Sequence, residues 1–446
     1  MKKGLKSLFI VLASAMMVTS LVACSRSDTT ASAPSAKPAD PGKPAQQPQK
    51  EVSLTWSFGK DATGVNEKLA KAFMEKNPGI KINILEMPQK SDAQHNDYVT
   101  KLSSKDTSID IMNIDIIWPP EFGASEWLEP LNSYFSKEEL DKLLPGPVQG
   151  NTLNGKLYGI PFYTDAGMLF YRKDILDEAG VKPPKTFDEL NKLAKSLKGK
   201  GGTEYGFVYQ GNQYEGLVCN VLEYFWANGG DVLGADNKAI IDSPNNVEAL
   251  KFFTDMTQSD LVPKGITTYV EEDARTVFTE GKSIFMRNWP YAWAKSQEDG
   301  SKVKGKVGVV PMPVGPSGKT PAATLGGWNL GINVNITKEK KDAAAKFLKY
   351  LASDETQAFS AVNSGRIPIA KSAFKNADVL KANPHFESLY DVFINAKPRP
   401  VSPIYPQISD VIQIQVHKAI TGGQTPDQSV KNMQKSISDL LAKYKK

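Results

Sequence analysis

The sequence is poor in cysteine and histidine, and these two shortages narrow the range of possible functions. Its 446 residues include two cysteines and three histidines. Two cysteines exclude a disulfide-rich scaffold. His95, His385 and His417 lack the paired spacing of a metal site, so we expect surface or helix-capping histidines, no metal and no cofactor. A chain of this length can bury a large apolar core, divided over about two or three domains.

Sequence motifs of nucleotide binding and of common hydrolases are also missing. There is no GxxxxGK[ST], no GxGxxG that opens a helix, no GxSxG and no HExxH. A glycoside-acting enzyme needs only two facing carboxylates, and Asp115, Asp165 and Glu215 are candidates for such a pair. No pattern selects them, so an enzyme remains an open alternative at this point.

The excess of positive charge is confined to the N-terminal fifty residues. Of the net charge of +5, residues 1–23 contribute +3 and residues 24–50 contribute +2, which leaves residues 51–446 neutral. Nucleic-acid binding needs clustered positive charge on the folded part. We therefore expect no nucleic-acid partner.

The first 24 residues have the pattern of a secretion signal. Three lysines precede an uncharged apolar run over residues 8–23, which is shorter than the roughly 20 residues of a membrane-spanning helix. The run ends in Leu-Val-Ala-Cys, which resembles the lipobox of bacterial lipoproteins. This resemblance predicts a signal peptide over residues 1–23 and acylation of Cys24, for instance by palmitate. The alternative is an ordinary secretory cleavage site with an incidental cysteine.

Residues 25–50 are predicted to form a flexible tether. They contain five prolines and five alanines but no aromatic residue and no Leu, Ile, Val or Met, so they cannot offset the entropy of ordering. Together with an acylated Cys24, the tether predicts a protein anchored to the outer face of the cell membrane. The tether and the serine after the cysteine favour a Gram-positive surface over a periplasm. Cys219, in an apolar helical run, is then unpaired and is predicted to be a buried small hydrophobe.

The remaining chain alternates predicted strands and helices, which indicates an α/β architecture with helices on both sheet faces. Thr186 as N-cap and Glu189 three residues later predict a capping box at the start of one helix. The strands are predicted at 52–58, 80–86, 109–118, 283–288, 306–312 and 329–334. The helices are predicted at 65–76, 187–197, 214–228, 245–258, 338–352, 407–421 and 426–443.

Several aromatic residues stand beside polar residues in predicted loops. They are Tyr163 near Asp165, Tyr214 beside Glu215, Trp289 with Tyr291 and Trp293, and Trp328 after Gly326-Gly327. Sugars present flat C–H faces that aromatic rings cover, and a rim of hydroxyls that carboxylates, amides and arginines bind. As a set, these residues indicate a carbohydrate cleft; singly, each is also explained by packing at a hinge.

Longer motifs make the chain similar to a known family, the extracellular solute-binding proteins of ABC sugar importers. The general motifs are EKNPGIKI (75–82), YGIPFYTDAGMLFYRKDILDEAGVKPPKTFDEL (158–190) and KKDAAAKFLKYLASDETQAF (340–359). Others resemble the trehalose/maltose-binding branch. These are DIIWPPEF (115–122), GFVYQGNQYEGLVCNVLEYFWANGG (206–230), MRNWPYAW (286–293), LGGWNLGI (325–332) and KPRPVSPIYPQIS (397–409).

The resemblance implies a two-lobe, hinged fold of the periplasmic-binding-protein type II, with the ligand cleft between the lobes. The implied first lobe comprises residues 51–160 plus 311–335, and the second comprises 161–310 plus 336–446. The chain is then expected to cross between the lobes near Ile160, near Pro311 and over residues 332–337.

The resemblance also implies a set of ligand-binding residues. They are Asp115, Tyr163, Asp165, Trp289, Tyr291, Gly327, Trp328 and Arg399, with Asp61, Gln94 and Glu215 as further candidates. The acids are expected to accept hydroxyl bonds, the aromatic rings to stack on sugar faces, and Gly327 to let the backbone approach. For Arg399 two roles stay open, a fork onto hydroxyls or a hold on a cleft carboxylate. Glu215 is expected either to contact ligand or to brace the hinge.

The implied function is a non-enzymatic, monomeric receptor at the membrane. It would capture an α-linked disaccharide of the trehalose or maltose type and deliver it to the transmembrane subunits of an ABC permease. Two alternatives remain open from the sequence: the anchored glycoside-acting enzyme, and a sugar-sensing binding protein that signals to a membrane kinase without transport.

Overall fold

The computed structural model describes residues 51–444, so the predicted signal peptide, Cys24 and the tether lie outside the described residues. Among the described helices, none is long and apolar enough to cross a membrane. The strands are β1 (Val52–Gly59), β2 (Ile80–Met87), β3 (Ile111–Asp115), β4 (Thr152–Leu153), β5 (Lys156–Leu157), β6 (Ile160–Ala166), β7 (Met168–Arg172), β8 (Tyr205–Val208), β9 (Ser283–Asn288), β10 (Val307–Val310) and β11 (Leu325–Ile332).

The helices include short single turns and long amphipathic segments. They are α1 (Val65–Lys76), α2 (Ser91–Ser103), α3 (Pro119–Ala124), α4 (Lys137–Asp141), α5 (Pro145–Gly150), α6 (Lys173–Glu178), α7 (Phe187–Leu197), α8 (Glu215–Ala227), α9 (Pro244–Thr257), α10 (Glu271–Thr279), α11 (Tyr291–Ser296), α12 (Lys338–Leu351), α13 (Asp354–Ser364), α14 (Ala377–Ala382), α15 (His385–Ser388), α16 (Tyr390–Ile394), α17 (Tyr405–Ile420) and α18 (Pro426–Tyr444).

Helix α7 begins where its sequence predicts, but the capping box is only half formed. The Thr186 side chain accepts a hydrogen bond from the Glu189 backbone N–H at 3.2 Å. The Glu189 carboxylate reaches one residue further back and accepts from the Lys185 N–H at 2.7 Å. Both bonds satisfy backbone donors around the helix start, so the N-terminus is stabilised without the reciprocal bond to Thr186.

Five strands form the sheet of what we call the first lobe, in the order β2-β1-β3-β11-β6. Strands β2, β1 and β3 are parallel, whereas β11 is antiparallel to both its neighbours. Helices α1 and α12 cover one face through apolar side chains such as Phe73 and Phe347. Helix α2 covers the other face through Tyr98 and Leu102. The predicted α/β layering with helices on both faces is confirmed for this lobe.

Four strands form the sheet of the second lobe, in the order β10-β7-β9-β8. Only β8 and β9 are parallel. Helix α8, whose thirteen residues are all buried, lies in the core of this lobe together with α9 and α17. Cys219 on α8 is 3% exposed, as expected for a small core hydrophobe.

Two of the three passages between the lobes differ from the predicted positions; the passage near Pro311 does not, since β10 of the second sheet ends at Val310. Strand β6 lies wholly in the first sheet, so the first crossing falls at Gly167 and not near Ile160. Helix α12 packs on the first sheet, with the Phe347 ring 5.1 Å from the Trp56 ring. After the five-residue connection that follows β11, α12 returns to the first sheet and lies beside α1. The third crossing therefore comes after α12, and residues 338–351 belong to the first lobe.

Candidate functional site

A deep cleft lies between the two lobes and encloses about 1080 Å³ of empty space, part of it open to solvent. Strands β1 and β3 end at the cleft, which is where ligands bind in α/β sheets. Every ligand-binding residue that the family resemblance implies lines this cleft, whereas Trp293, one of the aromatic candidates, does not. The implied residues are Asp61, Gln94, Asp115, Tyr163, Asp165, Glu215, Trp289, Tyr291, Gly327, Trp328 and Arg399.

Strand register sets three of these residues side by side on the first-lobe wall. Trp328 on β11 pairs with Asp115 on β3 and with Tyr163 on β6, and directly paired residues project from the same face of a sheet. Gly327 has φ +124°, and a Cβ there would lie 2.6 Å from the Tyr163 carbonyl oxygen. Only glycine fits this position, because any side chain would push β11 away from β6.

Arg399 joins the two lobes across the cleft. It donates from Nη2 to Asp115 Oδ1 at 2.7 Å in the first lobe and from Nη1 to Glu215 Oε1 at 2.8 Å at the start of α8. Of the two roles left open for Arg399, the structure shows the hold on cleft carboxylates. The guanidinium is 3% exposed, so both pairs are shielded from water.

Both carboxylate oxygens of Glu215 accept hydrogen bonds from protein partners. Besides Arg399, the Tyr405 hydroxyl donates to Oε1 at 2.5 Å, and the Ser409 hydroxyl donates to Oε2. Burial raises the pKa of Glu215 to about 7, although Arg399 opposes the shift. With both oxygens bonded within the protein, Glu215 braces the junction of the lobes.

Asp165 has the opposite surroundings. It lies near the end of β6 and is 9% exposed, yet no described residue donates a hydrogen bond to its carboxyl group. Burial raises its pKa to about 8, and the more distant Arg366 and Arg287 only partly oppose this. Neither carboxyl oxygen is among the fully buried side-chain atoms without a partner, so the carboxyl group faces the space of the cleft, where a ligand can supply donors. Asp165 is therefore the cleft carboxyl with the most unused bonding capacity.

The aromatic residues of the second-lobe wall are held by acidic partners. The Tyr291 hydroxyl donates to Glu272 at 2.5 Å, and Trp289 Nε1 lies 3.5 Å from Glu271. A Cβ on Gly326 would lie 2.9 Å from the Trp289 ring, so this glycine lets a second-lobe indole pack against a first-lobe strand. The rings are thus fixed in orientation before any ligand arrives.

Arg366 also lines the cleft, and sequence reasoning missed it. It donates to Asn66 Oδ1 at 2.7 Å and to Asp61 Oδ1 at 3.1 Å, and it stacks 4.4 Å above the Tyr163 ring. Burial alone would raise the pKa of Asp61, but Arg366 and the bonds from Thr63 and Asn66 outweigh it and lower that pKa. The only signal for Arg366 was its place directly after the helix-ending Gly365.

Gln94 contributes an acceptor to the first-lobe wall. Its amide nitrogen donates to the Pro88 carbonyl at 2.7 Å, while its Oε1 is buried without a partner.

His95, the residue after Gln94, pairs with Glu121 at 2.6 Å. The expectation of surface or capping histidines is wrong for His385, which is 7% exposed and has neither ring nitrogen bonded.

Two α/β lobes that share several chain crossings and enclose a polar, aromatic cleft define a binding protein that holds a solute between its lobes. No group of three or more His, Cys, Asp or Glu within residues 51–444 is arranged to hold a metal. The model of the bacterial extracellular solute-binding proteins matches residues 56–358, which is more than half of the chain. The protein therefore belongs to this family, the binding components of ABC transporters.

Individual relatives agree with this assignment over most of the chain. A probable ABC transporter-binding protein of Deinococcus radiodurans is 37% identical over 398 residues, which cover 87% of this chain and 93% of the relative. The maltose-bound structure of T. maritima MalE3 is 44% identical, with a TM-score of 0.85 over 87% of this chain and all of that one. A Thermotoga lettingae solute-binding protein with α-D-tagatose is 27% identical, with a TM-score of 0.79 over 88% of this chain and all of that one. The family is not enzymatic, so the glycoside-acting alternative is wrong.

Proposed function

We propose that this protein captures an α-linked disaccharide, of the maltose or trehalose type, for an ABC sugar importer. The observation that carries the proposal is that Asp165, a carboxyl group without a donor among residues 51–444, shares one cleft with the aromatic side chains of Trp289 and Trp328. Sugar hydroxyls would donate to the carboxyl, and the rings would cover the C–H faces of the sugar.

The choice of sugar rests on the similarity to relatives of known structure and on the aromatic residues that both lobes place on the cleft walls. The T. maritima relative was solved with maltose, whereas the more distant T. lettingae relative was solved with tagatose. Trp328 and Tyr163 stand on the first-lobe wall, and Trp289 and Tyr291 stand on the second. Ring faces on both walls suit a ligand with two sugar units.

Calorimetric titration of the purified protein tests the proposal. Maltose, trehalose, sucrose, cellobiose, glucose and mannitol form the panel. We expect one-to-one binding that is tightest for an α-linked disaccharide and at least tenfold weaker in Trp328→Ala and Asp165→Ala, since each variant removes a ligand contact. Phe359→Ala, at a 42% exposed position on α13, is the matched surface control. Tighter binding of cellobiose or mannitol would contradict the α-disaccharide assignment.

Lobe closure on the sugar is the proposed step that readies the protein for the transmembrane subunits of its permease. A ligand that contacts both lobes binds the closed form better and shifts the population towards it. X-ray scattering should show a smaller radius of gyration, for a monomer, when the preferred sugar is added. An unchanged radius at saturating sugar would contradict closure.

We also propose that the protein is anchored outside the cytoplasm by an acylated Cys24. The support is the apolar run that ends in Leu-Val-Ala-Cys and the tether that follows it. Mass spectrometry of the protein from membranes should find a lipid on Cys24, and Cys24→Ser should release the protein into the soluble fraction. Recovery of unmodified Cys24 within an uncut chain would contradict the anchor.

A further inference from the structure

Asp92 belongs to the first lobe, but its side chain contacts the second. It lies in the first turn of α2, which packs on the first sheet through Tyr98 and Leu102. Its Oδ2 accepts a hydrogen bond from the Glu215 backbone N–H at 3.0 Å, and its Oδ1 accepts from Gln413 Nε2 at 3.4 Å. Both donors belong to second-lobe helices, and Asp92 does not line the cleft.

The Glu215 amide is one of the first backbone donors of α8, and it needs an acceptor. Tyr214 stands at the N-cap position of α8 and supplies no side-chain hydrogen bond there. Helix starts are stabilised by an acceptor at this place and by negative charge near the positive end of the helix dipole. Because α8 is buried along its whole length, water is a poor substitute for that acceptor.

We propose that Asp92 is an interlobe cap, a first-lobe carboxylate that caps the second-lobe helix α8 and thereby holds the lobes together. This proposal rests on the proposed sugar-binding function, since closure is how that function uses the contact. Opening the cleft would separate Asp92 from the Glu215 amide and leave the start of α8 uncapped. The cap therefore favours the closed form without touching the sugar.

The consequence for binding follows from the closing equilibrium. The observed dissociation constant equals that of the closed form divided by the closed fraction. Removal of the cap lowers that fraction and weakens binding, although every sugar contact is intact. Asp410 and Asp115 lie near enough to Asp92 to oppose its charge. A neutral asparagine keeps one acceptor oxygen for the Glu215 amide and avoids this repulsion, but it loses the negative charge and the acceptor for Gln413, so it should preserve the cap in part.

Three variants of the purified protein test the cap by calorimetry with the preferred sugar. Asp92→Ala should raise the dissociation constant about five- to tenfold, as for one lost hydrogen bond. Asp92→Asn should weaken binding less than Asp92→Ala does, because the acceptor for the Glu215 amide is kept. Asp97→Ala, on the same helix and at an exposed pair with Lys101 at 3.7 Å, is the matched control and should bind like the wild type.

Hydrogen exchange adds a readout that needs no sugar. The Glu215 amide should exchange faster in Asp92→Ala than in the wild type. Its exchange rate should be unchanged in Asp97→Ala. Faster exchange with an unaltered or tighter dissociation constant would overturn the proposal, because the contact would then be a local cap without influence on closure. An Asp92→Asn variant as weak as Asp92→Ala would also overturn it.

Failure of the proposed function would be distinguishable. If the wild type binds no sugar of the panel, the function is wrong, and X-ray scattering of the unliganded proteins then decides on the cap. A larger radius of gyration for Asp92→Ala than for the wild type and Asp97→Ala supports the interlobe cap, and equal radii overturn it.

Discussion

Glu215 and Asp165 are two buried carboxyl groups in the same cleft, and burial raises the pKa of both, to about 7 and about 8. They differ in their partners. Glu215 is bonded by Arg399, Tyr405 and Ser409, whereas Asp165 receives no hydrogen bond from the described residues. Burial and pKa alone therefore do not separate a bracing group from a binding group. The count of oxygens bonded within the protein separates the two groups, because a cleft oxygen without a protein donor can accept a hydrogen bond from a ligand.

The largest change in stability should come from removal of Arg399, the cation that bonds Glu215 and Asp115. Arg399→Met leaves Glu215 and Asp115 buried without their partner, and the free energy of unfolding should fall by about 3–5 kcal/mol. Urea denaturation at pH 7.5 measures this. Lys251→Met, which breaks an exposed pair with Asp255, is the control and should cost under about 1 kcal/mol. If Arg399→Met also costs under about 1 kcal/mol of unfolding free energy, the bonds to Glu215 do not stabilise the fold, and Glu215 would not differ from Asp165 in this respect.

Substitution on the binding side should separate affinity from stability. Asp165→Ala should weaken sugar binding at least tenfold, or about 1.4 kcal/mol, because the sugar hydroxyls lose their hydrogen bonds to the carboxyl group. The free energy of unfolding should not fall, because no protein donor is left unpaired. Calorimetry and urea denaturation of the same preparation give both values. Glu215→Ala is the matched comparison and should destabilise the fold; the reverse outcome would mean that the two roles are exchanged.

The pH dependence of stability should show the uncompensated burial of Asp165. Its folded pKa of about 8 lies above the ordinary value near 4, so the folded protein retains a proton that the unfolded chain releases. This contribution to stability is therefore lost as pH rises from about 5 to 8. Asp165→Asn lacks this loss, so its free energy of unfolding should gain about 3–4 kcal/mol relative to the wild type over that range, at about 1.4 kcal/mol per pH unit. An advantage that is constant with pH would contradict the raised pKa.

The smallest change in stability concerns His385, which lies outside the cleft and whose buried ring nitrogens have no hydrogen-bond partner among the described residues. His385 packs 4.8 Å from the Trp293 ring, and burial lowers its pKa to about 4. The unfolded chain takes up a proton below about pH 6.5 that the folded protein refuses, so stability falls as pH drops from 6.5 towards 4. By pH 5.5 the loss should be about 1 kcal/mol, and His385→Phe should abolish it.

Sugar affinity of His385→Phe is the control for that experiment. It should equal the affinity of the wild type, because His385 does not line the cleft. Weaker sugar binding by this variant would mean that His385 influences the binding site although it lies outside the cleft.

Local patterns predicted the regular elements well where a helix or strand carries its own signal. Strand β1 and helix α1 lie within a residue of the predicted bounds, because a period of two or of 3.6 already specifies which face is buried. Helices α2 and α13 were missed. Their faces are less clearly apolar, and they are held by tertiary packing against α1, α11 and the first sheet.

The candidate site residues came from motifs, and the structure gathers them in one cleft, while their part in binding stays a prediction. Arg366 was missed because its meaning depends on Asp61 and Asn66, some 300 positions earlier in the chain. The third crossing was misplaced for a related reason. Helix α12 follows β11 back onto the first sheet, and only the packing of Phe347 against Trp56 shows it.

The sequence by itself determined the class of this protein: strand and helix periods specify an α/β chain, and long motifs specify its family. Only the tertiary structure decided the roles of its buried charged groups. Asp115, Glu215 and Asp165 are all acidic residues, and the sequence does not distinguish their roles. In the structure, Arg399 lies within 2.8 Å of the first two and donates no hydrogen bond to the third. The physical reason is that charge is compensated over a few ångströms in space, whereas the partners are separated by up to 284 positions along the chain.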